Sequence, residues 1–178
     1  ELIKILSKSK SFCFDTETTG LDPNDAELVG MSFAVKPHEA WYIPLPDNYH
    51  SCHAIVQEFK PLLEDEKILK IGQNMKYDLL VLGRYDIRPG SIDFDPMIAS
   101  YLLNPGKPSH SLDTIALEYL NYKTITYAEV TGTGKKQICF SAVDVKTATR
   151  YSGEDADIAL RLKHKLAPLL QEQNFNSL

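Results

Sequence analysis

The amino-acid sequence predicts one α/β domain in which a mixed sheet is flanked by helices. Three observations lead to this prediction. Three apolar runs separated by turn residues come first along the chain, as in an antiparallel meander. Helical and strand-like segments then alternate, as they do where helices connect parallel strands. The chain has 178 residues, 43% of them hydrophobic, and no linker-like stretch divides residues 1–178, so we expect a single domain.

Each of the three opening runs has the composition of a buried strand. Residues 11–14 are apolar and aromatic as far as Asp15, and a turn rich in Gly, Pro, Asn and Asp follows at 20–25. The second and third runs cover 28–35 and 40–45, and a Lys-Pro-His-Glu breaker separates them. Together the runs predict the three antiparallel strands of the sheet.

The middle of the chain alternates helix and strand. The predicted elements are, in order, a helix over 53–64, a strand over 68–72, a helix over 74–85, a short strand containing Ile92 and a helix over 95–103. An apolar stripe indicates the first helix, and Pro96 suits the first turn of the last one. Asn74 is expected to cap the second helix. The inward positions of that helix are expected to be Leu79, Leu80 and Leu82.

The last third of the chain is predicted to be mostly helical. A helix is expected over 111–120, and the polar stretch 124–139, which contains Gly and Lys, is expected to be an exposed connection. Helical periodicity resumes near Ala142. Tyr151 to Leu170 is predicted to form the last long helix or a pair of helices.

Charge and cysteine content restrict the functional classes. A formal net charge of −5 argues against tight nonspecific binding to nucleic acid, unless clustered acids hold cations that reverse the local sign. Three cysteines without metal-type spacing indicate reduced thiols of a cytoplasmic protein. No apolar run approaches 18 residues, so no membrane role is expected. Because the chain begins at Glu1 without a methionine, we expect an excised piece of a longer protein.

Five residues in three motifs point to the chemistry. They are Asp15 and Glu17 in FDTETTG, Asp78 in GQNMKYD, and Tyr151 and Asp155 in YSGED. Residues two apart on a strand, or four apart on a helix, share a face. Carboxylates gathered onto one site are how proteins hold a pair of divalent cations against a phosphate. The order of the motifs therefore predicts metal-dependent cleavage of a phosphodiester.

Each motif taken alone also has a purely structural explanation. Asp15 fits a surface acid before a plain turn, and Asn74, four residues before Asp78, fits a simple helix cap. Tyr151 fits a core aromatic residue, and Asp155 fits a solvated acidic face. A purely structural interpretation requires all of these explanations to be true at once. The functional interpretation is therefore favoured.

The chain resembles the tyrosine-bearing branch of the DEDD superfamily of 3′–5′ exonucleases. More closely, it is similar to the proofreading exonuclease domains of bacterial family A DNA polymerases. The matching stretches are FDTETTGLD, LVGMSFAV, YIPLP, KPLLEDEKILKIGQNMKYD, LDTIALEYL, KTITYAEV and RYSGEDAD. They extend from about Phe12 to Leu170, which is nearly the whole chain. The resemblance implies a ribonuclease H-like fold, in agreement with the predicted order of elements.

The resemblance also implies a two-metal site. Asp15, Glu17, Asp78 and Asp155 would be its carboxylates, and Tyr151 would be the fifth catalytic residue. In the family, the first ion is held by Asp15, Glu17 and Asp155, and the second by Asp15, with Asp78 reaching it through water. Mg²⁺ is the expected ion, and Mn²⁺ or Zn²⁺ also suits oxygen-rich sites.

Six further residues match family positions that contact a single strand: Thr16, Leu21, Gln73, Asn74, Tyr77 and Phe140. In the family, the position of Leu21 packs against the terminal base, and that of Phe140 closes the pocket of the terminal nucleotide. Two structural alternatives stay open. Leu21 and Phe140 fit ordinary core residues, and Gln73 and Asn74 fit helix capping.

The expected function is editing by a 3′–5′ exodeoxyribonuclease that removes 5′-mononucleotides from the 3′ end of single-stranded DNA. The expected partner is a polymerase domain on the same chain, in a monomeric protein of the bacterial cytoplasm. One alternative is a free-standing exoribonuclease of the same branch. Another is a catalytically silent structural domain that binds single strands.

Overall fold

The centre of the molecule is a five-stranded sheet. The computed structural model describes residues 1–175. The strands are β1 (Ser11–Thr18), β2 (Leu28–Lys36), β3 (Glu39–Pro44), β4 (Leu69–Ile71) and β5 (Ile92–Phe94). Their order across the sheet is β3-β2-β1-β4-β5. The pairs β1–β2 and β2–β3 are antiparallel, whereas β1–β4 and β4–β5 are parallel. The predicted mixed sheet flanked by helices is therefore confirmed.

Helices cover both faces of this sheet. They are α1 (Leu2–Leu6), α2 (Tyr49–Gln57), α3 (Lys60–Leu63), α4 (Met75–Gly83), α5 (Pro96–Leu103), α6 (Leu112–Leu120), α7 (Tyr127–Thr131) and α8 (Val145–Glu172). Short 3₁₀ turns at Gly134–Lys136 and Phe140–Ala142 connect α7 to α8. Within the described residues, no helix is both long and apolar enough to span a membrane.

Side chains of β1 alternate between two apolar layers. On one face, Phe12 packs edge-on against Phe33, and Phe33 stacks on Phe59 with ring centroids 5.1 Å apart. On the other face, the small side chain of Cys13 packs in a cluster with Ala156 of α8. Because small residues line this second layer, α8 lies close against the strand. Every later odd-numbered residue of β1 therefore points towards α8.

The helix predicted over 53–64 is wrong in its start and its continuity. Helix α2 begins at Tyr49, because the Asn48 side chain accepts a hydrogen bond from the backbone N–H of Ser51 at 3.1 Å. The helical path is interrupted after Gln57, and α3 starts afresh with Pro61 in its first turn. The apolar stripe runs through both pieces and therefore does not reveal the break.

Asn74 occupies the N-cap position of α4, as predicted, but its side chain does not supply the capping hydrogen bond. Its backbone is left-handed, with φ of 56°. The Asp95 carboxylate caps this helix instead, because it accepts from the backbone N–H groups of Asn74 and Met75 at 3.0 and 2.9 Å. Leu80 was expected to face inward but is 48% exposed, while Val81 is fully buried.

The stretch 124–139 is more structured than an exposed connection. It contains α7, whose capping box joins the Thr126 and Glu129 side chains to each other's backbone N–H groups. Thr131 at the end of α7 is buried. The last helical region is a single helix, α8, which begins after its cap Asp144 and continues through Pro168. Helix α1 was not predicted from the sequence.

Candidate active site

Three acids meet at the end of the central strand. Asp15 and Glu17 of β1 point to the side covered by α8, and Asp155 extends from α8 towards them. One carboxylate oxygen from each of the three lies within 4.8 Å of the others. The structure thus brings together three of the four acids that the sequence analysis selected.

Small residues of α8 face the sheet beside the acids. Ser152 and Gly153 are buried between the helix and the sheet. A β-carbon added at Gly153 would lie 3.6 Å from that of Ala40 on β3, which is ordinary van der Waals contact. Tyr151 and Asp155 are four residues apart, so they project from the same side of α8.

The fourth acid, Asp78, reaches the same strand from the opposite face. It lies in the first turn of α4 and is only 3% exposed. Its Oδ1 accepts hydrogen bonds from the backbone N–H and the hydroxyl of Thr16, at 3.0 and 2.5 Å. Thr16 stands between Asp15 and Glu17 on β1, so Asp78 is fixed beside the other three acids, although it is outside their 4.8 Å group.

Burial and mutual repulsion disfavour the ionised form of these acids. Desolvation, followed by the charge of Asp78, raises the pKa of Asp15 well above its usual value. Desolvation and the charge of Glu17 do the same to the pKa of Asp155. The pKa of Glu17 rises to about 7 through burial, against an opposing hydrogen bond from Ser152. That of Asp78 also rises to about 7, despite the hydrogen bonds from Thr16.

The cluster fits a divalent cation. The three clustered residues offer oxygen ligands only, which hard cations such as Mg²⁺ prefer. Burial first, and repulsion between neighbouring acids second, raise the pKa values of these carboxylates, and a bound cation would offset both costs of ionisation. No nitrogen or sulfur ligand belongs to the group.

Tyr151 is held in an aromatic cluster beside the acids. Its ring contacts those of Phe140 and Tyr127, with centroid distances of 5.7 and 6.3 Å. Burial, followed by the charges of Asp155 and Glu17, raises the pKa of the Tyr151 hydroxyl above its usual range. The hydroxyl therefore stays protonated near neutral pH, when it can donate a hydrogen bond.

A cavity of about 470 Å³ opens beside Glu17, which is the one of the four acids among its lining residues. Its lining residues are Thr16, Glu17, Thr18, Gly20, Leu21, Asn74, Tyr77, Tyr127 and Gln137. Leu21 is 95% exposed, so it is not a core residue, and it stands at the rim. Phe140 is 1% exposed and stacks on Tyr127, so it backs the cavity wall and does not line it.

Comparison with known proteins decides the family. A family model described as 3′–5′ exonuclease matches residues 1–171. The chain belongs to this 3′–5′ exonuclease family. Among curated relatives of this exonuclease chain, DNA polymerase I of Pseudomonas aeruginosa is 40% identical over 172 residues, and that of Borreliella burgdorferi is 37% identical over 181. These alignments cover 92% and 100% of the exonuclease chain but only 19% of either polymerase, so the chain spans about a fifth of their length.

Solved structures share the fold of the exonuclease chain. Brucella melitensis NrnC has a TM-score of 0.78 at 23% identity, with 96% of this chain and 78% of that chain covered. NrnC with bound Mg²⁺ gives a TM-score of 0.74 at the same identity and coverage. The catalytic core of RRP6 from Trypanosoma brucei gives 0.73 at 16% identity, with 97% and 44% covered. The expected ribonuclease H-like fold is confirmed.

The remaining residues selected from the exonuclease motifs lie around the cavity. The Tyr77 hydroxyl donates to the carbonyl oxygen of Gly20 at 2.5 Å and contacts Thr18 Oγ1 at 2.6 Å, so it ties the turn after β1 to α4. The Gln73 amide donates to the carbonyl oxygen of His110 at 3.0 Å. Gln73 does not line the cavity, whereas its neighbour Asn74 does.

Five residues around the acids and the cavity were not selected from the sequence. Two of them, Thr18 and Gly20, line the cavity within the first motif. Tyr127 and Gln137 line the cavity but belong to the stretch that was predicted to be an exposed connection. The capping box of Thr126 and Glu129 was a sequence signal for α7, which carries Tyr127. No sequence pattern indicated a role for Gln137. Ser152 was also missed, although it directly follows Tyr151 and hydrogen-bonds to Glu17.

Proposed function

We propose that this exonuclease chain is metal-dependent, and that it removes 5′-mononucleotides from the 3′ end of single-stranded DNA. The observation that supports this most directly is the cluster of Asp15, Glu17 and Asp155, whose oxygens lie within 4.8 Å of one another beside a cavity. Family membership supports the direction of cleavage.

In this proposal, one divalent cation is held by Asp15, Glu17 and Asp155. A second cation is held by Asp15, with Asp78 nearby. Mg²⁺ is the proposed ion, since the ligands are oxygens and the structurally similar NrnC has been solved with Mg²⁺. Bound cations would supply Lewis-acid activation of water and neutralisation of charge on the phosphate. The protein holds the carboxylates in place on β1, α4 and α8 before the ions bind.

The side chains around the acids position the substrate. A protonated Tyr151 hydroxyl donates a hydrogen bond that orients the attacking water, and it does not act as a base because its pKa is raised. Leu21 at the rim and Tyr127 in the wall offer apolar and aromatic surfaces to the terminal base. Asn74 and Gln137 offer polar groups to the sugar and phosphate.

We also propose that the nuclease edits for a polymerase region of the same protein. Relatives that are 37% and 40% identical are DNA polymerases I, and this chain corresponds to 19% of their length. A free-standing nuclease acting on RNA is a second candidate. It is favoured by NrnC, a chain of which this exonuclease covers 78%, so the same fold occurs in chains only slightly longer.

The deciding experiment is digestion of 5′-labelled single-stranded DNA and RNA, with Mg²⁺, with Mn²⁺ and with EDTA. Asp155→Asn removes one proposed ligand charge at constant shape, so cleavage should fall on the order of 10³-fold. Asp157→Asn is the matched control. It lies on the same helix, where it pairs with Arg161 at 3.3 Å and accepts from the His38 N–H, so it should stay active.

Each outcome separates the candidates. A DNA ladder shortened from the 3′ end, dependent on metal and absent in Asp155→Asn, supports the proposed function. Preferential digestion of RNA supports the second candidate. A folded protein that cleaves neither nucleic acid, in any of the metals, would contradict both.

A further inference from the structure

A buried serine on α8 points its hydroxyl at one of the acids. Ser152 is fully buried, and its Oγ donates a hydrogen bond to Glu17 Oε1 at 2.5 Å. A serine within a helix often bonds the carbonyl oxygen one turn earlier on its own helix. Ser152 instead crosses to β1 and bonds a residue 135 positions away in sequence.

This contact is the one that fixes Glu17. Among residues 1–175, Ser152 is the only hydrogen-bond donor to the Glu17 carboxylate. A glutamate side chain has several rotatable bonds, and ordering it costs conformational entropy unless a partner selects one rotamer. Glu17 is only 7% exposed although it lines the cavity, and Ser152 is its fixed protein partner.

The position of Ser152 links two acids through one helix. It follows Tyr151 directly and precedes Asp155 by three residues, in the part of α8 that lies against β1. The helix that delivers Asp155 to the cluster therefore also restrains Glu17, whose oxygen lies within 4.8 Å of those of Asp15 and Asp155. Thr16 makes an equivalent restraint on Asp78 from the opposite face of the strand.

We propose that Ser152 is a positioning residue for the metal site, and that its hydroxyl holds Glu17 in the orientation that binds a divalent cation. The inference rests on the proposed function, since it assumes that these acids bind metal. Residues that hydrogen-bond to metal ligands typically account for 10- to 100-fold in metal affinity or activity. The role therefore predicts a defect in metal binding, even in the absence of nucleic acid.

The test compares Ser152→Ala with Ser152→Thr, which keeps a hydroxyl. Ser100→Ala is the matched control, because Ser100 is an equally buried helical serine whose hydroxyl bonds His110 Nδ1 at 2.9 Å, away from the acids. Mn²⁺ affinity is measured by calorimetry on each full chain without substrate. The Mg²⁺ concentration for half-maximal cleavage and the thermal midpoint in EDTA are measured in parallel.

Ser152→Ala should bind Mn²⁺ about 10-fold more weakly and need about 10-fold more Mg²⁺, while its KM for DNA at saturating Mg²⁺ stays near the wild-type value. Ser152→Thr keeps the hydroxyl, so it should bind Mn²⁺ more tightly than Ser152→Ala, and the cost of its added methyl group should appear in the thermal midpoint. Ser100→Ala should lose thermal stability but keep its metal affinity. A merely structural serine would lower only the thermal midpoint.

Two results would overturn the inference: wild-type Mn²⁺ affinity in Ser152→Ala, or equal loss of affinity in the Ala and Thr variants. Failure of the proposed function looks different. In that case the wild-type chain itself binds no Mn²⁺ at the acids, and Asp155→Asn gives the same calorimetric trace as wild type.

Discussion

Glu17 and Asp78 titrate near neutral pH, because burial raises the pKa of each to about 7. In the unfolded chain both acids ionise near pH 4. Between these values the folded protein binds more protons than the unfolded one, so its stability falls as pH rises. The stability that the two acids contribute in their protonated form is fully present below about pH 4. It is lost as the pH rises through 7.

We therefore expect the metal-free protein to be less stable at pH 8 than at pH 5 by about 5 kcal/mol, which is roughly two pKa units for each of the two acids. Urea unfolding in EDTA across this range measures the difference. Addition of Mg²⁺ at pH 8 should restore the stability, and Glu17→Gln should reduce the pH dependence by about half, because Asp78 still titrates. A metal-free protein whose stability rises towards pH 8 would contradict the raised pKa values.

Two aspartates on α8 should respond in opposite directions to the same substitution. Asp155→Asn removes a charge that its neighbours repel, so the metal-free protein should gain about 1 kcal/mol, or roughly 2–4 °C in Tm. Asp157→Asn weakens the pair with Arg161, so it should lose stability. Thermal unfolding in EDTA measures both. If Asp155→Asn lowered the Tm of the metal-free protein, the ionised Asp155 would stabilise the fold, contrary to the prediction.

At the level of single residues, the five candidate site residues could be selected from the sequence because their spacing places them on shared faces of a strand or helix. Ser152 could not be selected this way, since its partner Glu17 is 135 residues away and only the packing of α8 brings them together. The exposure of Leu21 and the burial of Phe140 were equally undetermined, because both are apolar and both follow a turn or loop.

Among the secondary-structure elements, one side chain organises two helix starts. Asp95 accepts hydrogen bonds from the N–H groups of Asn74 and Met75 at the start of α4, and from that of Met97 in α5. One carboxylate thus satisfies three backbone N–H groups at the starts of the two helices. Since α4 carries Asp78, this cap also fixes the height of Asp78 above β1.

Asp95→Ala should therefore cost more than the loss of an ordinary cap, about 2 kcal/mol in the free energy of unfolding. The comparison variant is Ser111→Ala, which removes a single cap from α6 and should cost about 1 kcal/mol. Chemical denaturation of both variants gives the two values. Equal losses would indicate that Asp95 caps only one helix in solution.

Strands were easier to predict than helix boundaries. The aromatic run before Asp15 and the breaker between β2 and β3 mark strand limits directly in the sequence. Helix starts depend on caps that lie outside the apolar stripe, such as Asn48 before α2 and Thr126 before α7. The cap of α4 comes from Asp95, which is 21 residues beyond Asn74, so no local pattern indicates it.

For the molecule as a whole, the net charge of −5 limits how it attracts a polyanion. If cations bound to the acids supply much of the attraction, few lysine or arginine contacts release counterions on binding. We expect the KM for a single strand in saturating Mg²⁺ to rise with NaCl with a log–log slope below about 2, which corresponds to two or three phosphate contacts. Steady-state cleavage across a salt series measures this slope, and a much steeper one would reveal an unrecognised basic surface.

The crowding of four acids around β1 also affects how such chains change over generations. Each acid is present at a cost to folding, so selection for stability favours its replacement, and only selection for cleavage opposes that. A lineage that no longer needs the nuclease would lose carboxylates early and retain β1, α4 and α8. Its inactive descendants should therefore be stably folded proteins that can acquire new functions.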